Sequence, residues 1–174
     1  TELWGWKGEI GQYGGTWKMA SKGPGDNAWW GRIAYSCQVL MWSPDFTKAE
    51  VLPGLASSWE ISPDGKAFTF TLRKGAKWSD GAPITSANVK WYYDNVLNNE
   101  ELTVGAFPSW LRQGDDNSEC TVSDDHTFTI TFEKPNGFFI WDLCQYQRFI
   151  IVYFSHYMEQ FHKDFVETAA LDKL

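Results

Sequence analysis

Three histidines, three cysteines and a few paired carboxylates are the groups in this chain with the reactivity to do chemistry. Their spacing decides against each in turn. His126, His156 and His162 lack the HExxH pattern of a zinc hydrolase, and the six-residue step between the last two takes them off a common helical face. Cys37, Cys120 and Cys144 show neither CxxC nor another metal-ligand spacing. Being odd in number they allow at most one internal disulfide, and buried thiols are the expected state. There is no GxSxG elbow and no Walker or dinucleotide glycine motif. Asp124-Asp125 reads as turn chemistry, and Glu100-Glu101 and Asp115-Asp116 as solvated surface. Asp80 is expected to cap the backbone of its own turn. No nucleophile, metal set or cofactor motif remains, so the chain is expected to be no enzyme and to use no cofactor. Binding is the chemistry left, and its tools are aromatic: 11 tryptophans, within an aromatic share of 17%. Indole rings serve cores, interfaces and carbohydrate-stacking platforms alike, and most of these are expected in the core.

The 174 residues suffice for one core, and one unit over residues 1–174 is expected. A formal net charge of −7 argues against a nucleic-acid partner, which calls for a basic patch to replace phosphate counterions. A hydrophobic share of 43% excludes a disordered chain. The longest apolar run, Phe149 to Phe154, is far too short to cross a bilayer.

The elements that must position any site are clearest from Pro53 to Asp94. Trp59 and Ile61 alternate with polar neighbours, Ser62-Pro63-Asp64-Gly65 supplies a turn, and Phe68, Phe70 and Leu72 share one face of a second strand. Thr69, Thr71 and Arg73 take the other face, giving a hairpin with one buried side. Asp80-Gly81 and Pro83 mark another turn, and Thr85 is placed as the N-cap of a helix over Ala87 to Leu97. Its apolar stripe is Val89, Tyr92, Tyr93, Val96 and Leu97. Val122 to Phe132 repeats the first hairpin's design, an acidic turn before a strand with outward threonines, so two hairpins of one antiparallel sheet are expected. The fold class is α+β.

The remaining stretches are plainer. Thr16 to Ala20 reads as a short strand and residues 21–27 as a loop ending at Trp29-Trp30. Ile33, Cys37, Leu40 and Met41 predict a helix to Trp42, ended by Ser43-Pro44. Asn98 to Glu119 is a long connection holding Phe107, Pro108 and Trp110, which either face a ligand or anchor the loop. Phe138 to Leu143 begins a short helix. Ile150 to Phe154 is a buried extended segment, and Ser155 is placed to cap a last helix with Tyr157, Met158, Phe161 and Phe165 on its apolar side.

The order of residues in Pro53-Gly54-Leu55-Ala56, Ser58-Trp59-Glu60, Asp64-Gly65, Phe68 to Gly75, Lys77-Trp78-Ser79-Asp80-Gly81 and Pro83-Ile84-Thr85 resembles the family 5 extracellular solute-binding proteins of ABC importers, which include oligopeptide- and dipeptide-binding proteins. Tyr13-Gly14-Gly15-Thr16-Trp17 and His156 to His162 extend the resemblance toward both ends. It implies an N-terminal lobe portion of a periplasmic-binding-protein-like fold of type II, cluster C, without a second lobe. It implies capture of an extracellular solute, an oligopeptide first and an oligosaccharide close behind, for delivery to ABC permease membrane subunits. A periplasmic or extracellular location follows, with the export signal removed and a lipid anchor open for the precursor. By position in the resemblance, Lys22 and Gly23 offer polar and backbone contacts to the ligand. Trp29, Trp30, Phe107, Trp110, Phe138 and Trp141 offer stacking faces. The rival from another class is a free-standing aromatic-rich carbohydrate-binding or protein-interaction module.

Overall fold

The computed structural model of the chain describes residues 38–43, 47–102, 107–145, 150–151 and 154–166. In chain order, strands β1 (Leu40–Trp42), β2 (Val51–Pro53), β3 (Ala56–Ile61) and β4 (Ala67–Leu72) precede helix α1 (Ser86–Tyr92). Strands β5 (Arg112–Gln113), β6 (Asp116–Asn117), β7 (Glu119–Asp124) and β8 (Thr127–Thr131) then precede the short helices α2 (Phe139–Leu143) and α3 (Ser155–Met158). The class is α+β, as the two alternating hairpins and the capped helix predict.

Both hairpins join one four-stranded antiparallel sheet, in the order β3-β4-β8-β7. Alternation makes it one-sided. Phe68, Phe70 and Leu72 of β4 and Phe128 and Ile130 of β8 are buried on one face, where Phe70 stacks on Phe128 at 5.2 Å between centroids. On the other face Thr69 and Thr129 stand opposite each other and share a hydroxyl hydrogen bond of 2.9 Å. Cross-strand pairs of both kinds stabilise a sheet. Each hairpin turn is closed by its own aspartate: Asp64 accepts from the Ser62 hydroxyl at 2.6 Å and Asp124 from the His126 N–H at 2.8 Å. Gly65 adopts a φ of 68°, the left-handed conformation that the first turn requires.

Helix α1 is fixed to the second hairpin at its first turn. Thr85 and Asn88 form a reciprocal capping box, with the Thr85 N–H donating to Asn88 Oδ1 at 2.8 Å. The Ser86 N–H donates to Asp125 O, and its hydroxyl to Asp124 O. Past Tyr92 the helix widens into a π-turn over Tyr93–Leu97, closed by the Asn98 N–H on Tyr93 O at 3.0 Å. Val89, Tyr93 and Leu97 of the predicted stripe are buried.

Four expectations change. Leu40–Trp42 is a strand, not the end of a helix: Leu40, Met41 and Trp42 pair with Pro53, Leu52 and Val51. The pairing that a later segment supplies outweighs helical spacing read locally. Residues 33–37, the rest of that predicted helix, lie outside the described ones, as does the strand predicted over Thr16 to Ala20. Ile61 is 50% exposed although it shares a face with Trp59, because β3 is an edge strand. Ser155 is the first residue of α3, not its cap, and accepts from Asn88 Nδ2 at 2.9 Å. Finally, Tyr157, Phe161 and Phe165 are each exposed by more than two fifths, although Phe165 meets the buried Trp91 at 6.3 Å.

Candidate functional site

The long connection after the helix places its aromatics inside. Phe107 and Trp110 are buried in the core, where Phe107 meets Tyr93 at 6.2 Å and Trp110 stacks over Phe139 at 6.4 Å. Their ring faces are occupied by the protein's own residues, so they anchor the connection. Lys22, Gly23, Trp29 and Trp30 lie outside the described residues.

Phe138 and Trp141 are placed differently. The turn Pro135-Asn136-Gly137 is tied to the first hairpin through the Asn136 N–H on Gly65 O at 2.9 Å, and Asn136 Oδ1 accepts from the Phe138 N–H at 3.3 Å. That fixes where α2 begins and which way its residues point. Phe139 turns inward to full burial among Phe68, Phe70, Phe132 and Trp110. Its neighbour Phe138 is 77% exposed, and Trp141, one turn on, reaches the surface.

Trp141 meets a residue that sequence reasoning missed. Its ring lies 4.8 Å from that of Trp42, tilted by 35°, and both indoles remain partly exposed. Local spacing puts Trp42 at the end of a helix; the turn-rich stretch Ser43-Pro44-Asp45 followed by apolar Val51-Leu52 is the hairpin signal that points to it. Beside the pair opens a cavity of about 430 Å³. Val51, Trp59, Ile61, Phe68, Ile140 and Trp141 give it apolar walls, with Glu50 and Asn136 as polar groups. Such a cleft, apolar with few polar groups, is the usual form of a binding pocket for an organic solute.

Among the described residues no three His, Cys, Asp or Glu side chains cluster as metal ligands would. Cys120 and Cys144 are buried free thiols, and burial pushes both up to about 12, which leaves them protonated and unreactive. Cys37 lies outside the described residues. Asp80 does cap its own turn, accepting from the Ala82 N–H at 2.9 Å, and also pairs with His156. No helix of the described residues is long and apolar enough to cross a membrane.

Comparison with known proteins gives this geometry its setting. The family model described as "Bacterial extracellular solute-binding proteins, family 5 Middle" matches residues 50–173. The dipeptide-binding protein DppE of Bacillus subtilis is 30% identical over 98 residues, covering 51% of this chain and 18% of its own length. The periplasmic alpha-galactoside-binding protein of Rhizobium meliloti is 39% identical over 87 residues, or 49% of this chain and 12% of its own. Among solved structures, an oligopeptide-binding protein OppA superposes on 95% of this chain with a TM-score of 0.82 and 32% identity, using 25% of its own length. The chain thus spans a quarter or less of each of these proteins. The match extends well beyond half of its sequence, and the chain belongs to the bacterial extracellular solute-binding proteins, family 5.

Proposed function

We propose that this chain is part of the substrate-capturing component of an ABC importer, which takes up an oligopeptide outside the cytoplasm and presents it to permease membrane subunits. The observation that carries this reading is the likeness to an oligopeptide-binding protein over nearly the whole chain, backed by a dipeptide-binding relative. The output is binding energy and no bond making. The relatives that carry "periplasmic" in their names support a periplasmic or cell-surface location, with a lipid anchor as one way of staying there.

On the described residues the solute contacts are Phe138 and Trp141, with Trp42 beside them, while Phe107 and Trp110 hold the supporting core. Lys22, Gly23, Trp29 and Trp30 complete the proposed set on the N-terminal side. The cavity wall formed here covers a solute from one side, so tight binding calls for a facing surface that closes over it.

A second reading has its own support. A neighbour with a TM-score of 0.63 and 28% identity, MelB of Agrobacterium fabrum, was solved with stachyose, and a relative binds alpha-galactosides. The Trp42–Trp141 pair offers indole to a sugar face as readily as to a peptide side chain. Native mass spectrometry of the protein purified mildly from its own source separates the two. A retained peptide mass supports the first reading, and increments of whole hexose units support the second. Purified protein that carries neither and binds neither peptides nor oligosaccharides offered to it would refute both.

A further inference from the structure

Three separate elements bring indole rings to the cavity and its rim. Trp59 comes from β3 and Trp141 from α2, and both line it. Trp42 comes from β1, with its ring 4.8 Å from that of Trp141. Trp42 stands opposite Val51 in the β1–β2 pair, and Val51 is itself a lining residue. The Ser43 N–H on Glu50 O at 2.9 Å carries that pairing one step further, which holds Glu50 at the same rim. Glu50 is the one charged group among the described lining residues, and it is exposed. The lining amide, Asn136, has its Oδ1 taken by the Phe138 N–H at 3.3 Å.

These groups favour one sign of charge. An indole presents a negative face, and tryptophan is the side chain that best holds a cation against its ring. A carboxylate adds a full negative charge beside the rings, on a chain whose net charge is −7. Each of these repels an anionic group, and a neutral apolar group uses the walls without the charge. A cation wrapped in carbon uses both. Its alkyl carbons meet Val51, Ile61 and Ile140, while its charge faces the rings and Glu50. A bare inorganic cation would give up its hydration for walls that are mostly apolar, at a cost that one exposed carboxylate does not offset.

We propose that this cavity binds an alkylammonium group, seated against the indoles of Trp59 and Trp141 with Glu50 as its counter-charge. The inference rests on the reading of the cavity as solute surface and adds the charge of the group that enters it. The chemistry is the same for a small free cation and for the ammonium of a lysine side chain in a longer solute.

The test compares choline with its uncharged carbon isostere 3,3-dimethylbutan-1-ol, each titrated into the protein by calorimetry and NMR. Choline is expected to bind about tenfold more tightly than the isostere, with magnetisation passing from its methyl protons to the indoles of Trp59 or Trp141. Glu50→Gln is expected to weaken choline about threefold and to leave the isostere unchanged. Trp141→Leu keeps an apolar wall but removes a ring, so choline should fall toward the affinity of the isostere. N-acetyl-lysine amide identifies the source: tighter binding than choline assigns the site to a lysine side chain, weaker binding to a small free cation, and both support the proposal. Equal binding of both cations and the isostere, methyl contacts to other tryptophans only, a choline affinity unchanged in both variants, or no binding of either cation would each overturn it. A peptide or sugar retained in the mass measurement, with neither cation bound, defeats this inference and leaves the capture reading in place. Protein that takes up neither class of cargo defeats the capture reading itself.

Discussion

His156 Nε2 lies 2.5 Å from Asp80 Oδ2 across 76 positions of sequence, joining the turn before α1 to the first turn of α3. The second Asp80 oxygen accepts from the Ala82 N–H. The His156 hydrogen bond, and after it the Ala82 one, hold the Asp80 carboxyl below its ordinary value of 3.8. A carboxyl with a depressed folded-state value stabilises the fold above its unfolded value, and that contribution is lost as pH falls through the folded value. Asp80→Asn removes the charge but keeps the acceptor for Ala82. The wild type is expected to melt above the variant near neutral pH, with the gap closing as the solution is made more acidic than the ordinary carboxylate range. Melting curves of both proteins across pH check this, and a gap that stays constant would show that ionisation of Asp80 contributes nothing to the difference.

Asn88 works in two directions at once. Its Oδ1 accepts from the Thr85 N–H, closing the capping box, and its Nδ2 donates to Ser155 Oγ. Asn88→Ala removes both and leaves the N–H of Thr85 without its acceptor, so a loss of about 1–2 kcal/mol is expected. Asn88→Asp should restore the cap but not the donor to Ser155, and urea unfolding should place it between the two.

Much of this was legible in the sequence wherever a signal was local. The two hairpins, the one-sided phenylalanine and threonine alternation, and the start of α1 at Thr85 all follow from residues within a few positions of one another. What was not legible depended on partners far along the chain. Leu40 and Met41 carry helical spacing with Ile33 and Cys37, and only the return of Val51–Pro53 makes a strand of their segment. The site divided along the same line. Phe107 and Phe138 are equally aromatic and each stands beside a turn, yet the first is under a tenth exposed and the second 77%. Spacing cannot tell which side of a loop the core will occupy.

Gly54 is a position where that tertiary partner is backbone. A Cβ built there would sit 2.2 Å from Gln38 O and 2.4 Å from Val39 O. The same approach lets the Gly54 N–H reach Val39 O at 2.9 Å. No flexible side chain can move aside, so Gly54→Ala is expected to cost about 3 kcal/mol or more. It should also loosen the β1–β2 pair that carries Trp42. Chemical denaturation gives the first quantity, and the near-ultraviolet circular dichroism of the Trp42–Trp141 pair reports the second. An alanine variant as stable as the parent would show that these segments are not so closely packed.

Two adjacent phenylalanines make a sharper comparison. Phe139 is fully buried and ringed by four aromatic neighbours. Phe139→Ala should cost about 3–5 kcal/mol. Phe138→Ala removes an exposed ring and should stay within about 0.5 kcal/mol of the parent. If Phe138 belongs to the solute face, that variant should instead weaken ligand binding at unchanged stability. Measuring melting and ligand affinity on the same two variants separates support of the fold from contact with solute.

The thiols give a last check on how closed the core is. Burial drives the Cys120 and Cys144 thiols up to about 12, so at about pH 8 on the order of one in ten thousand would be thiolate even where reagent could reach. Both are also almost fully shielded, at 7% and 3% exposure. Alkylation by iodoacetamide, mapped to each cysteine by peptide mass spectrometry, should therefore be very slow in the native protein and rapid in denaturant. Its native rate should follow opening of the core, so Phe139→Ala, which removes the ring packed between Phe68 and Phe132, should speed labelling of both thiols. Equal labelling in parent and variant would mean that reagent reaches the thiols by local motion that leaves the aromatic cluster intact.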